Sequence, residues 1–487
     1  MPTLGAATPP PTHPPGRAVR PLDVLAAWPA NRPLASLISA GNSPFARWSI
    51  FASPTEIIRA DHTSPDPLGL LADTLRPPPR TRARAETDAP PFTGGWIGWI
   101  SYDLGRIFEP TAQRPSRARD EPRRPPWPLF ELLRCPAAYI HDATTNTWSI
   151  AGDPRLLPVL ENTAPPGECR LEPFTPCDAA SYQESVKRTV EHVRAGDIFQ
   201  ANIAHRLSTT FRGSTRGIAH RILDGAGAWY GAYLESPLHP DRPHIRHAIC
   251  SASPELFLSF DPRTRRVVTR PIKGTRGASP TATSDLAESA KDIAELNMIV
   301  DLMRNDLGRV CEYGSVKVDD PRAIESHGGP APDVGIFHGV ATVSGTLRHG
   351  LGMPDLLRAA FPPGSVTGAP KIRAMRIIDE QEPVRRGPYC GCVGFVSDSG
   401  HSAWNVAIRT AAITCNRPCT PASADGLLDY HVGAGIVADS DPELEWQETL
   451  HKAGILRRAF PESFSPGDTR PRHAASGSTH VIRSATT

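Results

Sequence analysis

The feature that most constrains the fold is an excess of short strand-like runs over helix-like runs, without regular alternation of the two. Runs rich in β-branched and aromatic residues predict strands at 48–52, 94–102, 138–141, 199–207, 246–250, 255–260, 266–273, 337–346, 391–397, 403–413 and 427–432. Helical periodicity predicts helices at 179–195, 284–305 and 442–459. This order favours an α+β fold with antiparallel sheets over a doubly wound fold.

Composition excludes several classes of function. The 487 residues carry a net charge of +2 and no basic run interleaved with aromatics, so no nucleic-acid partner is expected. No apolar run approaches the ~20 residues of a membrane span. The nine scattered cysteines, without a secretory signal, favour reduced thiols in the cytoplasm. Residues 1–20, rich in proline, and residues 463–487 are predicted to be disordered tails.

Lys273 is the first candidate for a reacting group. Only six of the 53 basic residues are lysines, so a lysine marks a position where an amine is useful. A desolvated amine can lose its proton and act as a nucleophile, whereas a guanidinium cannot. Lys273 lies between a strand-like run and a Gly-Thr turn, so it projects from a strand end. Alternatively, it is a solvated lysine at the edge of a loop.

Two helices each carry a pair of acids three residues apart, which places each pair on one helix face. These are Asp292 with Glu295 and Glu445 with Glu448. If the helices face each other, the four carboxylates offer an all-oxygen site that suits Mg²⁺. Alternatively, they are two solvated faces. Farther upstream, Gly433-Ala434-Gly435 predicts either a turn whose N–H groups bind an anion or a simple tight turn.

Taken in order, these segments resemble the chorismate-utilising enzymes, which include anthranilate synthase component I, aminodeoxychorismate synthase component I and the isochorismate synthases. The resemblance is strong over residues 180–460 and weaker before them. It implies two large antiparallel sheets packed as a sandwich with flanking helices, an N-terminal region over 21–175 and a catalytic domain over 176–462. The matching motifs are Gly196–Asn202, Ser253–Phe257, the Lys273 segment, Ala294–Val310, Gly364–Met375, Arg386–Tyr389, Ala407–Thr410 and Gly433–Ala453.

The resemblance also implies chorismate as substrate and Mg²⁺ as cofactor. Glu295 and Glu448 are expected to hold the ion directly, and Asp292 and Glu445 to hold it through water, so that it binds the ring carboxylate as a Lewis acid. His338 matches a histidine beside the ring. The other substrate contacts implied are Tyr389 and Arg409 at the enolpyruvyl carboxylate, together with Thr275, Gly433, Ala434, Gly435 and Lys452.

Two positions distinguish reactions within this family. Gln200 stands where isochorismate-forming members carry a lysine base, and an amide cannot activate water. Lys273 stands where anthranilate synthases typically have alanine and aminodeoxychorismate synthases have lysine. The resemblance therefore implies that Lys273 attacks ring C2 while Glu255 protonates the departing C4 hydroxyl. Ammonia then adds at C4 and expels the lysine, giving 4-amino-4-deoxychorismate for 4-aminobenzoate and folate synthesis.

The chain lacks a glutaminase motif, so ammonia is expected from a separate glutamine amidotransferase subunit or from solution. The first alternative is anthranilate synthase component I, and the second is a non-catalytic relative that binds chorismate or tryptophan. Relatives can carry a tryptophan pocket in the N-terminal part. Residues 34–36 and 47–49 lie in the corresponding region without its acidic residue, so feedback control is not predicted.

Overall fold

The computed structural model describes ten stretches of the chain, and the fold is built from these. They are 19–41, 43–76, 89–112, 126–160, 167–175, 178–237, 246–277, 279–327, 336–415 and 423–464. Nearly all of the two predicted tails lies outside the described residues. Of their few described positions, Ser463 is buried. In the described part of the chain, no helix is long and apolar enough to span a membrane.

Strands form most of the regular structure. Those before residue 240 are β1 Ala35–Ile38, β2 Trp48–Ala52, β3 Glu56–Ala60, β4 Gly95–Ile100, β5 Phe130–Cys135, β6 Ala137–Asp142, β7 Thr147–Gly152, β8 Cys169–Leu171, β9 Gln200–Gly213 and β10 Tyr230–Glu235. Those after it are β11 Arg246–Ser253, β12 Leu256–Asp261, β13 Arg266–Arg270, β14 Ile272–Gly277, β15 Lys317–His327, β16 Ile336–Thr346, β17 Gly368–Ala369, β18 Cys392–Ser397, β19 Ser402–Asn405, β20 Thr410–Cys415 and β21 Ala424–Ile436.

Helices flank these strands. They are α1 Val24–Ala27, α2 Pro67–Thr74, α3 Gly105–Phe108, α4 Ala179–Arg194, α5 Thr215–Asp224, α6 Ala282–Glu288, α7 Ala290–Gly308, α8 Met353–Ala360, α9 Lys371–Gln381, α10 Pro442–Lys452 and α11 Gly454–Ala459. The longest begin at side-chain caps: Asp178 accepts two N–H bonds at α4, and Asp441 does the same at α10. Such caps satisfy N–H groups that the first turn leaves free.

The strands form two large antiparallel sheets. The first has the order β17-β9-β21-β20-β11-β10-β1-β2-β6-β7, with β8 beside β9. The second has the order β14-β16-β13-β12-β19-β18-β4-β5-β3, with β15 beside β16. Both sheets take strands from either side of residue 175, and the predicted domain division there stays a prediction. The predicted α+β class with antiparallel sheets and flanking helices is confirmed.

Apolar side chains from both sheets meet in one buried cluster, so the sheets pack face to face. Ile50 and Ile249 come from the first sheet, and Ile97 and Val393 from the second. Helices α7 and α8 pack on the second sheet, while α1, α5 and α11 pack on the first. A fourth cluster joins α4, α9 and α10 to β9 and β21.

Four predicted elements are interrupted. The strand predicted over 266–273 is two strands, β13 and β14, separated at Pro271. The helix predicted over 284–305 is two helices, because Ser289 is extended and its hydroxyl caps the second of them. The strand predicted over 403–413 is also two, β19 and β20, and the loop between them holds Arg409 at a φ of 52°. The last helix, predicted over 442–459, is broken at Ala453, before Gly454.

Candidate active site

Lys273 lies on β14, which continues past the point where the pairing of β12 with β13 ends. That pairing ends at Leu256, opposite Arg270. Beyond Pro271 the chain continues as β14, which pairs on one edge with β16. Residues on β14 therefore have no β12 partner on their other edge. This leaves an opening at the end of β12 into which Lys273 and Glu255 are brought together.

The amine of Lys273 is enclosed by charged and polar groups. Its Nζ lies 3.1 Å from Oε2 of Glu295, and its side chain is only 17% exposed. A Cβ built on Gly435 would be 2.9 Å from the same Nζ and would clash with the amide of Gln200. Gln200 is itself buried, and its Oε1 has no hydrogen-bond partner. Lys273 is thus part of a buried polar site, which contradicts the alternative of a solvated loop lysine.

Glu255 is the residue immediately before β12 and is 3% exposed. Burial raises the pKa of Glu255 to about 7, although Lys273, Arg409 and the backbone N–H of Ile272 favour its charged form. A carboxyl group with such a pKa can donate a proton near neutrality. The structure therefore gives Glu255 the property that a general acid needs.

His338 and Thr275 face each other across the pair of β14 and β16. The Thr275 hydroxyl lies 3.0 Å from His338 Nδ1, while His338 Nε2 is buried without a partner. Burial, and then the charges of Arg409 and His327, hold the pKa of His338 well below its usual range. The imidazole is therefore neutral and has one free nitrogen.

The two acidic pairs face a shared set of lysines. Besides its contact with Lys273, Glu295 lies 4.0 Å from the amine of Lys291, and the charge of Lys291 also acts on both Glu445 and Glu448. The helices α7 and α10 consequently present their acids to one region. The Glu448 side chain is 49% exposed; its partial desolvation opposes ionisation, but Lys452, Lys273 and Lys291 lower its pKa.

Asp292 and Glu445, the two acids expected to bind the ion through water, each have a partner of their own. Asp292 accepts a hydrogen bond from Arg276 at 2.8 Å, and Glu445 accepts one from Ser440 at 2.7 Å. Burial and the nearby Glu448 carboxylate raise the pKa of Glu445. Among the described residues, no three His, Cys, Asp or Glu side chains converge as a metal site. Two carboxylates such as those of Glu295 and Glu448 would be enough for Mg²⁺. This ion needs only one or two protein carboxylates beside water and substrate oxygens.

Tyr389 and Arg409 lie beside this opening. The Tyr389 ring stacks on His431 at 5.3 Å, and the next residue, Cys390, donates its backbone N–H to Ala407. Arg409 follows in the loop between β19 and β20, and its charge acts on both Glu255 and His338. In the described residues its guanidinium makes no hydrogen bond, so its donors are available to an anion.

The turn predicted at Gly433-Ala434-Gly435 is wrong, because all three residues lie within β21. Their partners on β9 explain which N–H groups remain available. Asn202 and Ala204 donate away from β21, to Thr367 and Glu382. Opposite residues of an antiparallel pair orient alike, so Gly435 and Gly433 also direct their N–H groups away from β9. The strand β20 ends before reaching them.

Two further residues complete this side of the site. Lys452 donates to the Gly433 carbonyl at 2.8 Å and pairs with Glu448 at 2.7 Å. Asn202, which the sequence motifs did not single out as a site residue, has a buried amide nitrogen without a partner, beside Gly433. It follows Gln200 by two residues on one strand. The two-residue period of a strand was the signal that could have identified it.

Comparisons with known proteins identify the family of this chain. A family model described as chorismate binding enzyme matches residues 37–458. Aminodeoxychorismate synthase component 1 of Escherichia coli is 33% identical over 87% of this chain and 92% of its own length. Anthranilate synthase component 1 of Thermus thermophilus is 34% identical over 81% of this chain and 82% of its own.

A solved structure supports the fold. Anthranilate synthase component I of Streptococcus pneumoniae superimposes with a TM-score of 0.67 at 26% identity, covering 86% of this chain and 93% of that one. A menaquinone-specific isochorismate synthase of Escherichia coli, at 16% identity and a TM-score of 0.64, shares the fold. With most of its length matched by the family model, the chain belongs to the chorismate-binding enzymes.

Proposed function

We propose that the chain is the chorismate-aminating component of an aminodeoxychorismate synthase, forming 4-amino-4-deoxychorismate. The observation that carries the proposal is the pairing of a half-buried lysine with a buried, protonatable glutamate at one strand end. Lys273 is a nucleophile and Glu255 is a proton donor, and the charge of the first acts directly on the second. Both groups are needed to replace a ring hydroxyl by an amine in two steps.

In the first step the Lys273 ammonium group leaves its ion pair with Glu295 and loses a proton to water, and the neutral amine attacks ring C2. The two ring double bonds shift, the C4–oxygen bond breaks, and the oxygen takes the proton of Glu255 and leaves as water. The neutral His338 and the Thr275 hydroxyl line the same strands and orient the ring. Removal of a general acid typically lowers a rate by about 10²–10⁴-fold, so Glu255 carries a substantial part of this step.

In the second step ammonia attacks C4, the double bonds shift back, and the bond between Lys273 and C2 breaks. The Glu255 carboxylate is then available to take a proton from the added nitrogen. The net reaction consumes chorismate and ammonia and releases water. The enolpyruvyl group stays on the ring, held by Arg409 and Tyr389.

Mg²⁺ is the proposed cofactor, held by Glu295 and Glu448, and it would supply Lewis-acid polarisation of the ring carboxylate. Each of the four acids already has a partner: Lys273 for Glu295, Lys452 for Glu448, Arg276 for Asp292 and Ser440 for Glu445. Ammonia is proposed to come from a separate glutamine amidotransferase subunit, in the cytoplasm, for 4-aminobenzoate and folate synthesis.

The test is product identification by mass spectrometry after incubation of the purified chain with chorismate, Mg²⁺ and ammonium. The expected product keeps the enolpyruvyl group and yields 4-aminobenzoate when an aminodeoxychorismate lyase is added. A reaction without ammonium is the control for hydrolytic products. Formation of anthranilate and pyruvate would overturn the proposal.

Anthranilate synthase component I is the second candidate, because relatives with that name match the chain at similar identity. In that reaction ammonia adds at C2, and a lysine at the same carbon would obstruct it. The half-buried position of Lys273 is thus the specific observation against this candidate.

A further inference from the structure

Two titratable residues on β15 lie behind His338 and have no part in the steps above. They are the buried His327 and the half-buried Glu325. The register places Glu325 directly opposite His338 on one side of β16, as it places Thr275 opposite His338 on the other. Thr275, His338 and Glu325 thus form a row across three strands, and side chains that are directly opposite share one face of a sheet.

His327 is held on two sides. One face of its ring stacks flat on Trp229, with centroids 4.0 Å apart and an interplanar angle of 8°. It meets the His338 ring edge-to-face, with centroids 4.9 Å apart and an angle of 79°. The ring of His338 is therefore fixed between the hydroxyl of Thr275 and the ring of His327.

Glu325 is anchored in turn. Arg270 donates a hydrogen bond to one carboxylate oxygen of Glu325 and another to the hydroxyl of Thr342 at 3.2 Å. The second carboxylate oxygen lies 3.7 Å from His327 Nε2. The half-buried carboxylate thus faces His327, and the hydrogen bond from Arg270 holds it there.

This arrangement is costly for packing alone. His327 is 2% exposed, its Nδ1 has no hydrogen-bond partner, and its Nε2 has only the Glu325 carboxylate at 3.7 Å. A buried polar group left without a partner costs about 1–3 kcal/mol. A phenylalanine would stack on Trp229 equally well without that cost. The presence of a histidine therefore calls for an effect on its neighbour.

We infer that His327 and Glu325 are positioning residues for His338. They fix the plane of its ring so that Nδ1 stays on Thr275 and Nε2 remains free for the substrate. The inference rests on the proposed function only in that the site turns over chorismate, whichever product forms. It assigns a role to β15, from which the sequence motifs supplied no site residue.

The experiment is a double-mutant cycle on the full chain, measured as the rate of chorismate consumption. His327→Ala removes the ring edge that contacts His338. We expect it to lower kcat about tenfold, as loss of a supporting contact commonly does, with KM changed less than about twofold. His327→Phe, which keeps that edge and loses only the ring nitrogens, should lower kcat less. In the His338→Ala background, His327→Ala should change kcat less than about twofold, because the residue that His327 positions is gone.

His349→Ala, at an exposed histidine, is the matched control and should match the wild type. Glu325→Gln should lower kcat in the same direction as His327→Ala, and thermal midpoints verify that each variant is folded. If His338→Ala consumes chorismate too slowly to measure, chorismate affinity by titration replaces kcat in both backgrounds. An equal loss with and without His338, or no loss in either, would overturn the inference. Product identification is a separate readout, so a different product would overturn the proposed function alone.

Discussion

The sandwich encloses two interior spaces of opposite character. Around Lys273, the walls carry buried ionisable groups and amides, several without partners. The other space is a cavity of about 300 Å³ between the two sheets, lined mainly by aromatic and aliphatic side chains such as Phe45, Trp229, Phe395 and Trp404. One sequence thus builds a polar and an apolar opening between the same sheets.

The two spaces share a wall, which makes their difference instructive. Leu256 lines the cavity, while Glu255, one residue earlier, belongs to the polar site. Trp229 lines the cavity on one side and stacks on His327 on the other. Burial raises the pKa of Glu255, whereas it simply removes apolar surface from water at Leu256. The chemistry of each space follows from the side chain that a strand end presents.

The largest effect should come from the nucleophile. Lys273→Ala removes the amine that forms the covalent intermediate, so we expect amination at C4 to fall at least about 100-fold. Mass spectrometry of the ammonium-dependent reaction measures it. Lys317→Ala, at an exposed lysine on β15, is the control and should match the wild type. An unchanged rate at C4 would show that the polar space does not work through Lys273.

Glu255→Gln should lower turnover about 100-fold by removing the proton donor. In the wild type, turnover should fall as the pH rises through about 7, since only the protonated carboxyl can donate. This fall of turnover with rising pH, the basic limb of the pH profile, should be absent from Glu255→Gln. A pH profile of kcat between 5 and 9 measures both, and a limb that persists in Glu255→Gln would assign it to another group.

The same substitution should stabilise the fold at high pH. The folded-state pKa of Glu255 is raised, so its stabilising contribution is complete below pH 4.5 and is lost as the pH passes about 7. Relative to wild type, Glu255→Gln should gain on the order of 3 kcal/mol in free energy of unfolding between pH 4.5 and pH 8. Denaturant unfolding at the two pH values tests this. A constant difference would mean that the burial of this carboxyl carries no such cost.

Glu448→Gln tests the proposed metal. It should raise the Mg²⁺ concentration for half-maximal activity about tenfold, because one of two direct ligands loses its charge. Asp292→Asn is the matched comparison, and we expect a smaller shift because this acid is proposed to act on the ion through water. Magnesium titrations of chorismate consumption measure both. Equal shifts would mean that Asp292 turns away from Arg276 toward the ion.

The smallest effect should come from the apolar space. Ala403→Val adds two methyl groups at a residue lining the cavity and should raise the free energy of unfolding by about 0.5–1 kcal/mol, with turnover unchanged. Ala232→Val, in a fully buried part of the core, should instead lose about 1–3 kcal/mol through overpacking. Denaturant unfolding compares them. A loss of turnover in Ala403→Val would show that the two spaces are coupled.

Much of this molecule could be predicted from its sequence, and the failures have physical causes. Alternating runs gave the strands, since a strand repeats every two residues whatever its partner. Breaks escaped prediction where the cause is tertiary: Arg409 adopts a left-handed backbone to reach the site, and Gly433 to Gly435 pair with a distant β9. The motifs located Lys273 and Glu255, but not Glu325 and His327, which matter only through a register that pairing creates.

The apolar cavity between the sheets was also not predicted from the sequence. Arg47 and Trp48, from the segment compared with a tryptophan pocket, line it. Cavity formation depends on how two sheets stack, which no local pattern records. The expectation that the chain lacks feedback control stays a prediction.

The strand β14 has a consequence for how such enzymes diversify. It carries Lys273 on a segment paired on one edge, past the point where β12 stops accompanying it. A side chain there can be exchanged without repacking the centre of either sheet. During evolution, the residue at this position can therefore change while the other residues proposed to bind the substrate stay the same.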